Sequence, residues 1–268
     1  MTRPTTSINP RVRGSRRRIR RTLGAATTLA VVATSLLVGS PAASAQVDPS
    51  TVAPSTAPAP EPAPAPPGPP VLFFLPLTGG NLGRGATGPE VFLMQITLVS
   101  RGFWLSDFPG AFGESTRHAL VAFQKYFGLG RTGVLDPLTR FVLGARIDRV
   151  VPARPRPGRA IEVDLGRQIA NISENGQTIW VFDISSGARR TPTPRGTFRI
   201  QRQINAMRTS RLGKLWRPKY FTGGYALHGS PSVPAHPASH GCVRLTNQEI
   251  NFIWDSGLAP IGTPVTVF

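Results

Sequence analysis

Residues 228–245 read HGSPSVPAHPASHGCVRL. The stretch holds three of the four His and the only Cys of a 268-residue chain. A lone Cys has no disulfide partner within its own chain and cannot serve a site that needs two Cys ligands. A free thiol is an oxidation liability unless it is buried or used. With Gly241 beside Cys242 and His close by, use as a nucleophile is the favoured reading. An ordinary thiol is only a few per cent thiolate at neutral pH. A His in reach can take its proton and stabilise an ion pair, lowering the thiol pKa. Gly241 lets the backbone turn tightly and bare its N–H groups toward an oxyanion. Zinc is the rival use. Three His and a Cys are competent ligands, and His236-x3-His240 is suitable spacing on a helix. However, Pro231, Pro234 and Pro237 forbid a regular helix there, and the segment has no Asp or Glu.

On either side the chain reads mainly as strands, over 159–268. Ile161 and Val163 alternate with polar residues, and Ile179, Val181 and Asp183-Ile184 do so more loosely. Asn175-Gly176 between two such runs predicts a hairpin. Thr197, Phe198 and Ile200 follow a Pro-Gly turn, and PVTVF closes the chain as a last strand. One helix is expected after the Cys. Thr246 to Glu249 is a capping box, Ile250, Ile253 and Trp254 are its apolar stripe, and Gly257 ends it. Its start, four residues after Cys242, would aim a helix dipole at the thiol.

Residues 71–150 read as a small helical unit. Val91, Met94, Leu98 and Val99 share one helical face, and Thr116, Ala119, Leu120, Phe123 and Phe127 another. Asp136-Pro137 starts a third helix, and Gly144 is its expected stop. His118, on the second helix, reads as a solvated or packing residue. PARPRPG, within a linker at 151–158, is expected to separate this unit from the strands. Residues 46–70, with ten Pro in 25, cannot form a core. They predict a disordered, semi-rigid Pro/Ala-rich linker that at about 3.1 Å per residue reaches roughly 75 Å.

Residues 1–45 read as a signal peptide: eight Arg in the first 24 residues, the apolar run AATTLAVVATSLLVG, then Ala43-Ser44-Ala45. An uncleaved anchor is the alternative. Cleavage would leave 268 − 45 = 223 residues and lower the net charge from +18 to 18 − 8 = +10. An exported basic chain makes nucleic acid an improbable partner and anionic wall polymers a natural one. No stretch reaches the roughly 20 apolar residues of a transmembrane helix, so no stable membrane insertion is expected after cleavage.

His228-Gly-Ser and Ser239-His240-Gly241-Cys242-Val243-Arg244-Leu245 closely resemble the signature of YkuD-type L,D-transpeptidases. So do IEVDLGRQ (161–168), TPTPRGTF (191–198), YFTGGYALHG (220–229) and GTPVTV (262–267). Residues 82–144, with LGRGATGPEV, Gln95, Arg101-Gly102-Phe103, GAFGESTRHAL, AFQKYFGL and Thr132-Gly133, resemble a type 1 peptidoglycan-binding module. The resemblance implies a two-domain chain: a small three-helix peptidoglycan-binding domain followed by a mainly-β catalytic domain. It implies a cell-wall enzyme, exported to the wall or periplasmic space, acting in wall biogenesis and cell shape with no metal or organic cofactor. Peptidoglycan stem peptides would be its partners. Carried over by motif, Cys242 is the nucleophile and His228 its base, oriented by the Gly229 carbonyl. Amides around Gly241 and Cys242 form the oxyanion hole, His240 shapes the pocket, and Gly223, Gly224 and Arg244 contact substrate. Many members have Asn where Arg244 stands. The short segment between His228 and Cys242 predicts a small lid, with His236 a plain loop residue. The implied reaction is a 3→3 cross-link made through a Cys thioester. Water as acceptor would make the chain an L,D-carboxypeptidase, and a non-catalytic wall-binding protein is the reading of another class.

Overall fold

The computed structural model describes residues 79–145, 148–210 and 212–268, all within one compact unit. The expected signal peptide and Pro/Ala-rich spacer lie outside the described residues.

The helical part comprises α1 (Pro89–Ser100), α2 (Glu114–Tyr126) and α3 (Pro137–Ala145). The expected apolar faces are the ones buried: Val91, Met94 and Leu98 on α1, and Thr116, Ala119, Leu120 and Phe123 on α2. Asp136 accepts the Thr139 N–H through Oδ1 at 2.7 Å and so caps α3. Gly144 does not stop that helix, which runs on to Ala145. A glycine in the last turn costs about 1 kcal/mol, too little to end a helix whose Thr139, Arg140 and Leu143 are buried.

The β part begins with β1 (Arg159–Asp164), β2 (Ile169–Glu174), β3 (Gln177–Asp183) and β4 (Gly196–Arg199). It continues with β5 (Arg202–Gln203), β6 (Met207–Ser210), β7 (Gly213–Thr222), β8 (Tyr225–Ser230) and β9 (Val243–Thr246), then α4 (Asn247–Asp255) and β10 (Pro264–Val267). One sheet has the order β3-β2-β1-β10-β4; the other runs β5-β7-β8-β9, with β6 on β7. The β2–β3 turn is the expected one: Asn175 and Gly176 both have positive φ, 50° and 76°, as a two-residue I′ turn requires. The capping box closes α4, with Glu249 N–H to Thr246 Oγ1 at 3.1 Å and Thr246 N–H to Glu249 Oε2 at 2.7 Å.

The helical and β parts are not two bodies on a spacer. Trp104 packs into the β core between Phe182 and Phe252, while Ile169 and Val181 pack into the helical core. The segment after α1 also hydrogen-bonds to the outer edge of β3: Trp104 N–H to Val181 O at 3.2 Å and Val181 N–H to Gly102 O at 2.7 Å. A free sheet edge is thereby covered. The Pro-rich break is itself tied down, since Ala153 and Arg154 N–H groups donate to the buried Glu162 carboxylate at 2.8 and 2.7 Å. Proline-rich composition reported the absence of secondary structure there, not mobility.

A shared core predicts shared unfolding. Trp104→Ala should cost about 3–5 kcal/mol. Helical circular dichroism and the near-ultraviolet signal should still melt in one transition. Two separated transitions in the unmodified chain would show that the parts unfold independently.

Candidate active site

Strands β8 and β9 are parallel neighbours, with Leu227 opposite Val243 and His228 opposite Arg244. Side chains alternate along a strand. Leu227, Val243 and Leu245 therefore enter the core with Phe221 of β7. Ala226, His228, Cys242 and Arg244 take the opposite face, where Tyr220 and Cys242 pack around Ala226. Two residues fourteen apart in sequence, His228 and Cys242, thus line one cleft of about 470 Å³.

The imidazole is fixed by its neighbour. His228 Nδ1 lies 2.9 Å from Gly229 O. A carbonyl can only accept, so Nδ1 carries the proton and Nε2 keeps its lone pair. Gly229 has no room for a side chain: a Cβ would stand 2.6 Å from Ile250 Cγ2 and 2.7 Å from Asn247 Oδ1. The Cys242 thiol sits 3.7 Å from Gly224 O, its hydrogen-bond acceptor. Burial pushes the His228 pKa down to about 4, with Arg244 adding to the fall. Burial also pushes the Cys242 thiol up, against a backbone hydrogen bond from Ala226 and the Arg244 charge. Burial therefore works against the charged form of each group. The charge-separated pair expected from sequence is disfavoured because both charged forms would be desolvated.

Arg202, Arg208, Lys214 and Arg244 also line the cleft, and its described lining contains no Asp or Glu. The guanidinium of Arg202 lies 3.8 Å over the Tyr220 ring. Gly224 and His240 are in the lining, as expected, whereas Gly223 is not; it forms the β7–β8 turn with φ 47°. One wall is the β6–β7 hairpin, exposed along Met207–Lys214 apart from the undescribed position 211. From sequence, a small lid is expected of the short segment between His228 and Cys242, and nothing of this second element. The hairpin wall was not anticipated because its side chains, mostly polar with Met207 and Leu212 among them, are exposed and follow no buried alternation. His236 is exposed and outside the lining, its carbonyl accepting from Ser185 Oγ at 2.8 Å.

Two expectations fail on geometry. The Gly241 N–H is not bare; it donates to Ser239 Oγ at 3.0 Å. Gly241 is needed for shape, with φ 107° and Tyr225 Cε1 2.5 Å from where a Cβ would be. The α4 dipole also does not reach the thiol. The four residues of β9 intervene, about 13 Å at 3.3 Å each, and the field fades within a turn.

Sequence reading also missed what holds the thiol loop. Ser186 O accepts from Ala238 and Ser239 N–H, both at 2.9 Å, and Ser185 and Arg244 exchange backbone bonds at 3.1 and 3.0 Å. Thr191 Oγ1 donates to Ser239 O at 2.9 Å and Thr193 Oγ1 to Gly241 O at 2.8 Å. The TPTP run was visible in the sequence; the role of its threonines needed the fold.

The L,D-transpeptidase catalytic domain model matches residues 158–267, and a peptidoglycan binding domain model matches 87–143. A crystal structure of an L,D-transpeptidase from Xylanimonas cellulosilytica is 41% identical, covering 71% of this chain and 98% of that one, with a TM-score of 0.66. This chain belongs to the L,D-transpeptidase family. A curated relative, a probable N-acetylmuramoyl-L-alanine amidase from Bacillus licheniformis, is 36% identical over 70 residues. That match takes in 25% of this chain and spans only 20% of the amidase. Among the described residues no helix is long and apolar enough to cross a membrane.

Gly241→Ala should destabilise the chain by about 1–3 kcal/mol, because a left-handed backbone and a ring contact must both give way. Denaturant melts measure this; an unchanged midpoint would show that the loop adapts freely.

Proposed function

We propose that the chain is an exported cell-wall L,D-transpeptidase that cross-links peptidoglycan stems 3→3 through a Cys242 thioester. The carrying observation is that His228 and Cys242 line one cleft from the same strand face, with Arg202, Arg208, Lys214 and Arg244 also in its lining. His228 Nε2 takes the thiol proton as Cys242 Sγ attacks the carbonyl of the L-centred third stem residue. The tetrahedral oxyanion forms beside Arg244, with the Cys242 amide as the candidate donor. Collapse expels D-Ala, whose amine takes the proton back from His228. The side-chain amine of a second stem then gives its proton to His228 and attacks the thioester, and the thiol is restored. Stem peptides carry free carboxylates, which suit Arg202, Arg208 and Lys214. The helical segment supports sacculus binding through its family match.

Cys242→Ala should lower turnover by about 10³-fold or more, and His228→Ala by about 10²–10⁴-fold, while His236→Ala stays near wild type. Mass spectrometry of muropeptides reads all three. Cross-linked dimers support the reading; trimmed tripeptides alone would make the enzyme a carboxypeptidase, and product from Cys242→Ala would end it.

The pH profile is a separate check. Catalysis needs His228 unprotonated, so the rate should fall only as pH drops through about 4 rather than through the ordinary 6.5. Stability follows the same sign. A depressed His pKa contributes fully above 6.5 and loses that contribution between 6.5 and about 4. An acid limb of kcat/KM near 6.5 would mean that the base is solvated, or that it is not His228.

A further inference from the structure

Helix α2 buries a lysine. Lys125 has no exposed side chain, and its three ammonium protons meet three acceptors: Asp183 Oδ1, Gln168 O at 3.0 Å and Ile184 O at 2.8 Å. On the other carboxylate oxygen, His118 Nδ1 lies 2.7 Å from Asp183 Oδ2. Arg117 can only donate to His118 Nε2, so Nδ1 carries the proton given to Asp183. His118 is thus a buried partner, not a solvated residue. Glu249 of α4 is the other buried acid near these groups; burial raises its pKa to about 7.

These contacts lead directly to the thiol loop. Gln168 is buried with a left-handed backbone, φ 63°. Its carbonyl accepts from Lys125 Nζ and from Ile184 N–H. Its side chain clamps Ser186, accepting the Ser186 N–H at 2.9 Å and donating to Ser186 Oγ at 2.7 Å. Ser186 O in turn holds the amides of Ala238 and Ser239, and Ser239 Oγ donates to Cys242 O. A second arm is shorter. Arg131, from the segment after α2, donates to Ala235 O at 3.0 Å and to Gly166 O at 3.3 Å.

We propose that the helical segment holds the Cys242 loop in position, Lys125 and His118 acting through Asp183 and Gln168 and Arg131 acting on the Ala235 carbonyl, so that this segment is a working part of the active site as well as a wall-binding module. The crossover from β8 to β9 has no helix to satisfy its own backbone groups, and the helical segment supplies part of what holds it. The proposal rests on reading Cys242 as the nucleophile, but its first readout does not need turnover.

The test uses the full chain and its single thiol. Lys125→Met with Asp183→Asn removes the ion pair without leaving a bare buried charge. Alkylation by iodoacetamide across pH then reports Cys242 alone, and a soluble tetrapeptide-stem substrate keeps wall tethering out of the kinetics. With circular dichroism showing a native fold, the alkylation midpoint should move. The kcat should fall by about tenfold or more with KM little changed, as for a misplaced reacting group. A superimposable alkylation profile with kcat within about twofold of wild type per folded molecule would overturn the proposal. If the double variant fails to fold, Arg131→Ala decides. This surface change should shift the profile and cost about threefold in kcat, the worth of one net hydrogen bond; wild-type behaviour would overturn the proposal. Turnover by Cys242→Ala would instead refute the function reading and leave the alkylation result standing.

Discussion

The parallel pairing of β8 with β9 is the constraint on which the rest of the candidate active site depends. It puts His228 opposite Arg244 and sets Cys242 one step along the same face. Parallel strands need a crossover of about a dozen residues or more, usually built on a helix. Here residues 231–242 make that crossover without one. Its carbonyls and amides therefore depend on partners from elsewhere, since unpaired buried backbone groups are costly. The strap after β3, with Ser185, Ser186, Thr191 and Thr193, supplies most of them.

The same face sets the electrostatics. Burial disfavours the charged forms of His228 and Cys242, and the described lining offers cations without a carboxylate. In a partly desolvated cleft such charges act more strongly than in water.

Local chemistry was legible in the sequence. Asn175-Gly176, the Thr246–Glu249 box and the alternation around Ile161 and Val163 each act within a few residues, and each formed as read. The His and Cys cluster was legible because those residue types are scarce in this chain. What escaped was long-range. Nothing local marks Lys125 as buried or pairs it with Asp183, 58 positions away. Gln168 looks like a turn residue until its side chain is seen on Ser186. The β6–β7 wall is exposed, and its scattered Met207 and Leu212 make no alternating apolar pattern to find. The Gly241 amide was misread because the hydroxyl of a Ser two residues earlier accepts its hydrogen bond, a detail that only loop geometry reveals.

The most direct measurement is intact-protein mass spectrometry after an acid quench, with the full chain mixed with a disaccharide-tetrapeptide. The account predicts one adduct, equal to the substrate less D-Ala, mapping to the peptide that contains Cys242 and lost when an acceptor amine is added. Continued turnover with the chain unmodified, or an adduct on any other residue, would contradict it.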